Sequence, residues 1–263
     1  MSEAVIIIPT ASRPEMLALC LERLAALPDC PPVHISLDHV NNHLLEETTY
    51  IRDTRFPKAI LHSQPAHVKV ESGCWNILQS MRLGYEMGAE YIFMLEDDVQ
   101  VYPYWLTWSL GQMATGEYLA TCGRRIPAFF ERYGDLYTNP GSCLRRDLLA
   151  NLMPHIRDEY FAHPKGTAQY IRETFGREPF NSSLDDGLIR MVIWQMNGQC
   201  KYPDKPVCAH QGLDWYRKMD IFVNEGSIED RIKGLREIHQ KIESGNPRYA
   251  RYSHDFESYN PTS

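Results

Sequence analysis

Short apolar runs alternate with helix-like segments through the first hundred residues, and this alternation constrains the fold more than any other feature of the chain. The run from Val5 to Ile8 is uninterrupted and β-branched, which is typical of a buried strand. Apolar residues then recur at helical spacing from Met16 to Leu24. The alternation continues to the strand-like run YIFML. This order predicts an α/β fold with a mainly parallel central sheet flanked by helices.

Polar residues follow three of the predicted strands at their carboxyl ends. The segment from Pro9 to Pro14 follows the first strand, Asp38 closes the second, and the acids Glu96 to Asp98 follow YIFML. The carboxyl ends of parallel strands lie at one edge of a sheet, where α/β proteins bind their ligands. We therefore expect these residues to form one site.

The triplet Glu96-Asp97-Asp98 needs a positive partner, because three adjacent carboxylates at the end of a buried strand repel one another. A divalent cation is a suitable counter-charge, and oxygen ligands favour Mg2+ or Mn2+. An acidic loop in solvent is the alternative interpretation, since charge runs are usually solvated. The buried strand before the triplet favours the cation site, because it directs the acids to the ligand-binding edge.

The composition is that of a globular protein and narrows the classes of partner. The 263 residues are enough for one large domain or two. With 34 Asp and Glu against 27 Lys and Arg, the chain lacks the basic balance of proteins that bind duplex nucleic acid through phosphate contacts. Seven cysteines without a C-x-x-C pair, no signal-peptide pattern and no run of about 18 apolar residues lead us to expect a cytoplasmic protein with reduced thiols.

The second half of the chain is less regular. An aromatic-rich helix is predicted over residues 102–113, and a short helix after a turn at Gly141. Residues 154–180 are polar and predict a loop. The segment SSLDDGLIRMVIWQMNG predicts an amphipathic helix that begins with two acids. Ser227 and Asp230 form a capping box ahead of a final helix, which a tyrosine-rich tail follows.

Several of these segments resemble the glycosyltransferases of the GT-A fold, most closely the family 2 type. VIIIPTASRPEMLALCLERL is similar to their first nucleotide-binding strand and helix, and YIFMLEDDV to the strand that ends in the D-x-D type metal motif. SSLDDGLIRMVIWQMNG resembles the helix that carries the catalytic base. With GSCLRRDLL and VCAHQG, the resemblance extends over about residues 4–216. It implies a GT-A (Rossmann-like) fold with a C-terminal helix and tail added.

The resemblance implies a binding site for a nucleotide-sugar donor. Glu96 and Asp97 would contact the ribose and the donor sugar, although the triplet is E-D-D rather than a strict D-x-D. The base and ribose would lie against the ends of the first two strands and the helix before the metal strand. The residues implied there are Pro9, Thr10, Arg13, Asp38 and Asn76.

The resemblance also implies the metal ligands and the catalytic acids. Asp98 would bind Mn2+ or Mg2+ directly, with His210 as a further ligand. Asp186 would be the catalytic base, and Asp185 would orient the acceptor or its loop. Each assignment has an alternative: a histidine can serve a structural hydrogen bond, and carboxylates are favoured at a helix N-terminus whatever their function.

Two further sets of residues are candidates for ligand contacts. Arginines can meet donor phosphates or an acidic acceptor through bidentate contacts, although at least two of these are expected to be solvated surface. Aromatic faces are good platforms for sugars, and about half of this set is expected in the core. The sets are Arg124, Arg125, Arg145 and Arg146, and Tyr102, Tyr104, Trp105 and Trp108.

The implied reaction moves a sugar from a nucleoside diphosphate-sugar, expected to be UDP-linked, to a hydroxyl acceptor with inversion. Residues 1–105 would form the nucleotide-sugar-binding half of the domain, residues 106–216 the acceptor-binding and catalytic half, and residues 217–263 the C-terminal helix and aromatic tail. The acceptor stays open, and a modified base in DNA is among the candidates.

Two alternative functions stay open at this point. A nucleotidyltransferase also places paired acids and a cation at such a sheet edge, but it normally has a Gly-rich phosphate loop, which IIIPTASRP lacks. A nucleotide-sugar-binding protein without catalysis would keep the same fold.

Overall fold

The structure, a computed structural model, describes residues 3–11, 13–38, 42–64, 72–125, 136–157, 166–177, 184–210 and 226–243. Strands and helices alternate through the first half, as predicted. The elements there are β1 (Ala4–Thr10), α1 (Pro14–Ala25), β2 (Val33–Leu37), α2 (Asn42–Arg55), β3 (Ile60–Ser63), α3 (Ser72–Glu86) and β4 (Tyr91–Met94).

The second half contains shorter strands and more helix. The elements are β5 (Val99–Val101), α4 (Trp105–Met113), β6 (Ala120–Thr121), β7 (Ser142–Arg145), α5 (Arg146–Leu152) with a 3₁₀ turn (Met153–His155), α6 (Gly166–Phe175), α7 (Leu184–Gln195), β8 (Cys200–Lys201), β9 (Cys208–His210) and α8 (Ile228–Glu243). The predicted C-terminal helix is therefore present. The tyrosine-rich tail lies outside the described residues.

Seven strands form the central sheet, in the order β3-β2-β1-β4-β7-β6-β8. The first four of these run parallel, β7 is antiparallel to both β4 and β6, and β8 is parallel to β6. The prediction of a mainly parallel sheet flanked by helices is confirmed. The carboxyl ends of β1, β2 and β4 lie at one edge, which places the polar residues that follow them side by side.

Strand β1 explains why the first apolar run has no polar interruption. Both of its faces are covered, because Ile6 and Ile8 pack in a cluster with α1 and α8 while Val5 and Ile7 pack in a second cluster with α3 and α7. A strand buried on both faces needs apolar residues at consecutive positions. Helix α1 begins at Pro14, where proline is favoured, and Arg13 occupies its N-cap position without a side-chain capping hydrogen bond.

One prediction for the second half is wrong, and a second is confirmed except that it missed a strand. The segment 154–180 was expected to be a loop, yet α6 occupies its centre with Tyr170, Ile171 and Phe175 buried. The turn predicted at Gly141 leads into strand β7 before the helix begins. In both cases tertiary packing outweighs a weak local pattern.

A separate two-stranded sheet joins the acidic triplet to the later part of the chain. Strand β5 begins directly after Asp98 and pairs antiparallel with β9, so that Val99 lies opposite His210. Residues far apart in the sequence are thereby brought to the same place. Within the part of the chain that the structure describes, no helix is both long and apolar enough to cross a bilayer.

Candidate active site

A tight turn at the end of β4 directs the acidic triplet out of the sheet. Leu95 still bonds to β1, its N–H donating to the carbonyl of Ile7 at 3.0 Å, and the N–H of Val99 closes the turn on the carbonyl of Glu96 at 3.0 Å. Asp97 and Asp98 are buried, and Glu96 is partly exposed. Burying two carboxylates is costly unless each finds a positive or hydrogen-bonding partner.

The end of β1 supplies those partners to Asp97 and Asp98. Thr10 donates from Oγ1 to Oδ2 of Asp97 at 2.6 Å. The guanidinium of Arg13 bridges the two acids, with Nη2 2.5 Å from Oδ1 of Asp97 and Nη1 2.6 Å from Oδ2 of Asp98. Thr10 and Arg13, which the resemblance places around the nucleotide, thus contact the acidic triplet directly.

His210 completes a group of three side chains that could hold a metal ion. Its Nε2 lies 3.3 Å from Oε2 of Glu96 and 3.4 Å from Oδ1 of Asp98. The ligand atoms of all three residues lie within 4.8 Å of one another. Among the described residues, the buried Oδ1 of Asp98 has this 3.4 Å contact with His210 and no closer hydrogen-bond donor. Two carboxylates with one imidazole form a donor set that suits Mn2+. The residues present therefore fit a divalent cation.

The electrostatics of the triplet follow from these contacts. Burial would raise the pKa of Asp98, but its hydrogen bond with His210 and the charges of His210 and Arg13 outweigh burial and lower that pKa to about 2. Burial would lower the pKa of His210, but the hydrogen bonds to Asp98 and Glu96 raise it to about 10. Burial raises the pKa of Asp97 to about 7, against the attraction of Arg13. Without a cation, protons balance part of the negative charge of the site.

The predicted nucleotide residues at the ends of β1 and β2 lie together, and one of them has a clear structural task. Asn76 on α3 donates from Nδ2 to the carbonyls of Thr10 at 3.0 Å and Ser36 at 3.3 Å, and thereby links the two strand ends. The N–H of Asp38 donates to the carbonyl of Thr10 at 2.8 Å, and Pro9 pairs with Ser36 across the sheet. These residues form the part of the edge that flanks the acidic triplet.

Helix α7 brings the acidic pair Asp185 and Asp186 to the same edge of the sheet. Asp185 is buried, and burial together with the negative charge of Glu96 raises its pKa to about 6. The influence of Glu96 shows that the first turn of α7 lies near the cation cluster. Asp186 accepts a hydrogen bond at Oδ2 from Nη2 of Arg190, one helical turn later, at 3.1 Å. The structure therefore brings together the acidic triplet and the acidic pair that the sequence indicated.

The turn before β7 connects the two acidic groups through residues that were not among the predicted site residues. Asn139 donates from Nδ2 to Oε1 of Glu96 at 2.8 Å. The hydroxyl of Tyr137 donates to Oδ1 of Asn139 at 2.9 Å, and the carbonyl of Tyr137 accepts from Nε of Arg190 at 2.6 Å. A hydrogen-bonded path thus runs from Glu96 through this turn to Asp186. The Asn-Pro-Gly sequence at 139–141 marks a turn, but nothing in it identifies a contact with the acids.

Two of the four candidate arginines lie at the wrong edge of the sheet for donor phosphates. Arg145 pairs with Tyr91 at the start of β4 and forms an ion pair with Asp147. Arg146 donates to the carbonyl of Tyr85 at 2.7 Å. The strand β7 runs antiparallel to β4, so its last residue lies at the opposite edge from the acidic triplet. These two arginines therefore stabilise the fold away from the site.

The aromatic residues after the triplet divide between core and surface. Trp105 is fully buried, packs edge-on against Phe93 and donates from Nε1 to the carbonyl of Gly141 at 2.8 Å. Tyr104 is 43% exposed and donates to the carbonyl of Pro206. Trp105 has its polar group satisfied inside the protein and serves the core rather than a ligand.

Comparisons with known proteins identify the fold. No protein-family model matches the chain, and no curated protein matches it. A mannosyltransferase from Pyrobaculum calidifontis in complex with GDP-Man and Mn2+ is similar in structure, with a TM-score of 0.54 and 13% identity over 98% of this chain and 81% of that one. Glucosyl-3-phosphoglycerate synthase from Mycobacterium tuberculosis in complex with Mn2+, UDP and glucosyl-3-phosphoglycerate has a TM-score of 0.51 and 13% identity, over 89% of this chain and 78% of that one.

A third solved structure is similar over a smaller share of its length. TarS 1–349 from S. aureus gives a TM-score of 0.52 and 14% identity and covers 83% of this chain, while the chain spans 63% of it. For two other matched structures, this chain spans 55% and 59% of their length. At such identities the likeness concerns the fold alone, and these neighbours are glycosyltransferases of the GT-A fold. The chain has the GT-A fold, as the resemblance of its sequence implied.

Proposed function

We propose that this protein is a metal-dependent glycosyltransferase that transfers a sugar from a UDP-sugar to a hydroxyl acceptor with inversion. The observation that carries the proposal is the convergence of Glu96, Asp98 and His210 at the ligand-binding edge of a GT-A sheet, beside the acidic pair of α7. A GT-A fold alone does not imply activity. The combination of a cation cluster and a second, separate carboxylate pair is what transfer requires.

In this proposal the donor lies across the ends of β1 and β2. Pro9, Thr10, Asp38 and Asn76 form the wall for base and ribose, and Arg13 provides a guanidinium with two donors next to the triplet. Asn76 acts mainly by holding the two strand ends together. Asp97, which Thr10 and Arg13 hold in place, would contact the donor sugar.

The cation would be held by Asp98 and His210, with Glu96 beside them. A bound divalent cation supplies the positive charge that stabilises a departing nucleoside diphosphate. In this proposal Glu96 would lie next to the metal ligands, whereas the resemblance implied a contact with the ribose or the donor sugar.

Asp186 is the proposed base. Its carboxylate would accept the proton of the acceptor hydroxyl while that oxygen forms the new bond to the anomeric carbon and the diphosphate leaves. Arg190 holds one carboxylate oxygen of Asp186 in a fixed direction. Asp185 is more deeply buried and would shape the first turn of α7 around the acceptor. One displacement of this kind inverts the anomeric centre.

The neighbours support the class of donor but leave the nucleotide to experiment. One of them was solved with GDP-Man and Mn2+ and another with UDP and Mn2+. Calorimetry with Mn2+ and a panel of UDP- and GDP-sugars would identify the nucleotide. Binding of a UDP-sugar that requires Mn2+ is the expected result, and Asp98→Ala should abolish it.

Turnover distinguishes the proposal from its alternatives. Asp186→Asn should lower the rate of transfer at least about 100-fold, the usual contribution of a general base, with little change in donor affinity. A variant that turns over like the parent would show that Asp186 is not the base. Release of pyrophosphate would identify a nucleotidyltransferase, and Mn2+-dependent donor binding without hydrolysis or transfer would identify a binding protein.

A further inference from the structure

The two carboxylates of the cation cluster share one pattern of contacts. In Glu96, Oε1 accepts from Asn139 at 2.8 Å while Oε2 faces Nε2 of His210 at 3.3 Å. In Asp98, Oδ2 is held by Arg13 while Oδ1 faces the same imidazole nitrogen at 3.4 Å. Each acid therefore has one oxygen fixed by a neighbour and the other directed to the place where the three ligand atoms converge.

Asn139 differs from Arg13 in being neutral, so it fixes Glu96 without adding charge to the site. The side chain is 3% exposed. The orientation of its amide is determined, because Oδ1 can only accept hydrogen bonds and accepts one from the hydroxyl of Tyr137 at 2.9 Å. The opposite end of the amide, Nδ2, must then face Glu96.

The turn that carries Asn139 is anchored on both sides. The hydroxyl of Tyr137 also lies 2.9 Å from Oγ of Ser142, the second residue after Pro140, and the Tyr137 carbonyl accepts from Arg190 at 2.6 Å. Tyr137 itself is 1% exposed. An amide held in this way has a fixed direction before any ligand binds, which is the property required of a group that orients a metal ligand.

We propose that Asn139 is a positioning residue that aims Oε2 of Glu96 at the bound cation. The inference rests on the proposed function, because it assumes that the cluster binds a divalent cation. Groups that orient metal ligands typically contribute 10- to 100-fold to metal affinity. Removing the amide leaves Glu96 free to turn its second oxygen away and should reduce Mn2+ affinity by a factor of that size.

Titration of the full chain with Mn2+, followed by the electron paramagnetic resonance signal of the free ion, tests this without any assay of transfer. Asn139→Ala should bind Mn2+ about 10- to 100-fold more weakly than the parent. Tyr137→Phe keeps the amide but removes the hydroxyl that orients it, so a smaller loss in the same direction is expected. Asn151→Ala is the matched control, because Asn151 is exposed and donates to a helix carbonyl in α5; its affinity should equal that of the parent.

Thermal unfolding in the presence of chelator separates a local effect from a loss of fold. If Asn139→Ala does not fold, Tyr137→Phe carries the test. A folded Asn139→Ala variant, or failing that a folded Tyr137→Phe variant, with the Mn2+ affinity of the parent would overturn this inference alone. A parent chain that binds no Mn2+ at millimolar concentration would overturn the metal dependence of the proposed function and this inference with it.

Discussion

Replacing Arg13 with glutamine removes the guanidinium that bridges two buried acids, and the structure indicates what this costs. Arg13 contacts Asp97, whose side chain is fully buried, and Asp98, which is 4% exposed, while its own side chain is 24% exposed. Asp98 keeps His210 as a partner in the variant. The loss at pH 7 should therefore be that of charged hydrogen bonds, about 2 kcal/mol of unfolding free energy.

Asp97 makes this cost depend on pH. Its pKa of about 7 means that close to pH 7 only half of the molecules carry the charge on Asp97. Ionisation of Asp97 beside Arg13 therefore stabilises the folded parent by only about 0.4 kcal/mol at this pH. Each further pH unit favours the ionised form in the parent by about 1.4 kcal/mol. Arg13→Gln raises the pKa of Asp97 further, so the variant loses the stabilisation that ionisation of Asp97 gives the parent. The destabilisation should thus grow to about 4 kcal/mol at pH 9, within the range for breaking a buried ion pair.

Urea unfolding with chelator present, followed by tryptophan fluorescence at pH 6, 7, 8 and 9, measures both parts. When Arg13→Gln is made in an Asp97→Asn background, the pH-dependent part of its destabilisation should vanish, because asparagine cannot ionise. Arg13→Lys keeps the charge and should show a smaller pH dependence than Arg13→Gln. Equal destabilisation by Arg13→Gln at pH 6 and pH 9 would refute the reasoning, since Asp97 would then not be the group that Arg13 keeps ionised.

Three further substitutions test the site and the packing. The folded-state pKa of His210 is raised from 6.5 to about 10, so the contribution of this residue to stability is complete below pH 6.5 and is lost as the pH rises through 10. The parent in chelator should therefore lose stability across this pH range. A His210→Gln variant that loses as much stability would show that His210 is not the titrating group. Gly198→Ala places a Cβ against Leu119 and should cost about 1–3 kcal/mol in the same assay. Gly111→Ala in α4 meets no atom within 4 Å and should instead stabilise the helix by about 0.5–1 kcal/mol, so equal effects of the two changes would count against the packing described.

Strands β1 and β4, in the parallel part of the sheet, could be predicted because their largely buried residues form uninterrupted apolar runs. The capping box at Ser227 was also predictable, and it forms: the N–H of Ser227 donates to Oδ2 of Asp230 at 3.0 Å, and the N–H of Asp230 to Oγ of Ser227 at 3.3 Å. Helix α2 was not predicted. Only Thr48 and Ile51 are buried in it, so its sequence has no apolar stripe of the usual width.

The site was predictable to the extent that its residues are acids at strand or helix ends. Asp98, Asp185 and Asp186 lie in such positions, and His210 ends a short strand. Asn139 could not be found in this way, because its contact with Glu96 depends on how a turn packs across the sheet edge rather than on any local period. The place of Glu96 beside His210 depends likewise on the pairing of β5 with β9, which joins distant parts of the chain.

Because of that pairing, the position of the His210 imidazole depends on the register between β5 and β9. Because neighbouring residues of a strand point to opposite sides, inserting or deleting one residue within β9 would turn His210 away from the acids and present Ala209 or the following residue instead. Loops between β5 and β9 other than the turn that carries Asn139 can change in length without this effect, since they do not alter which residues pair. Loops could therefore be exchanged to change the acceptor, provided that β5 and β9 each keep their three residues in the same register.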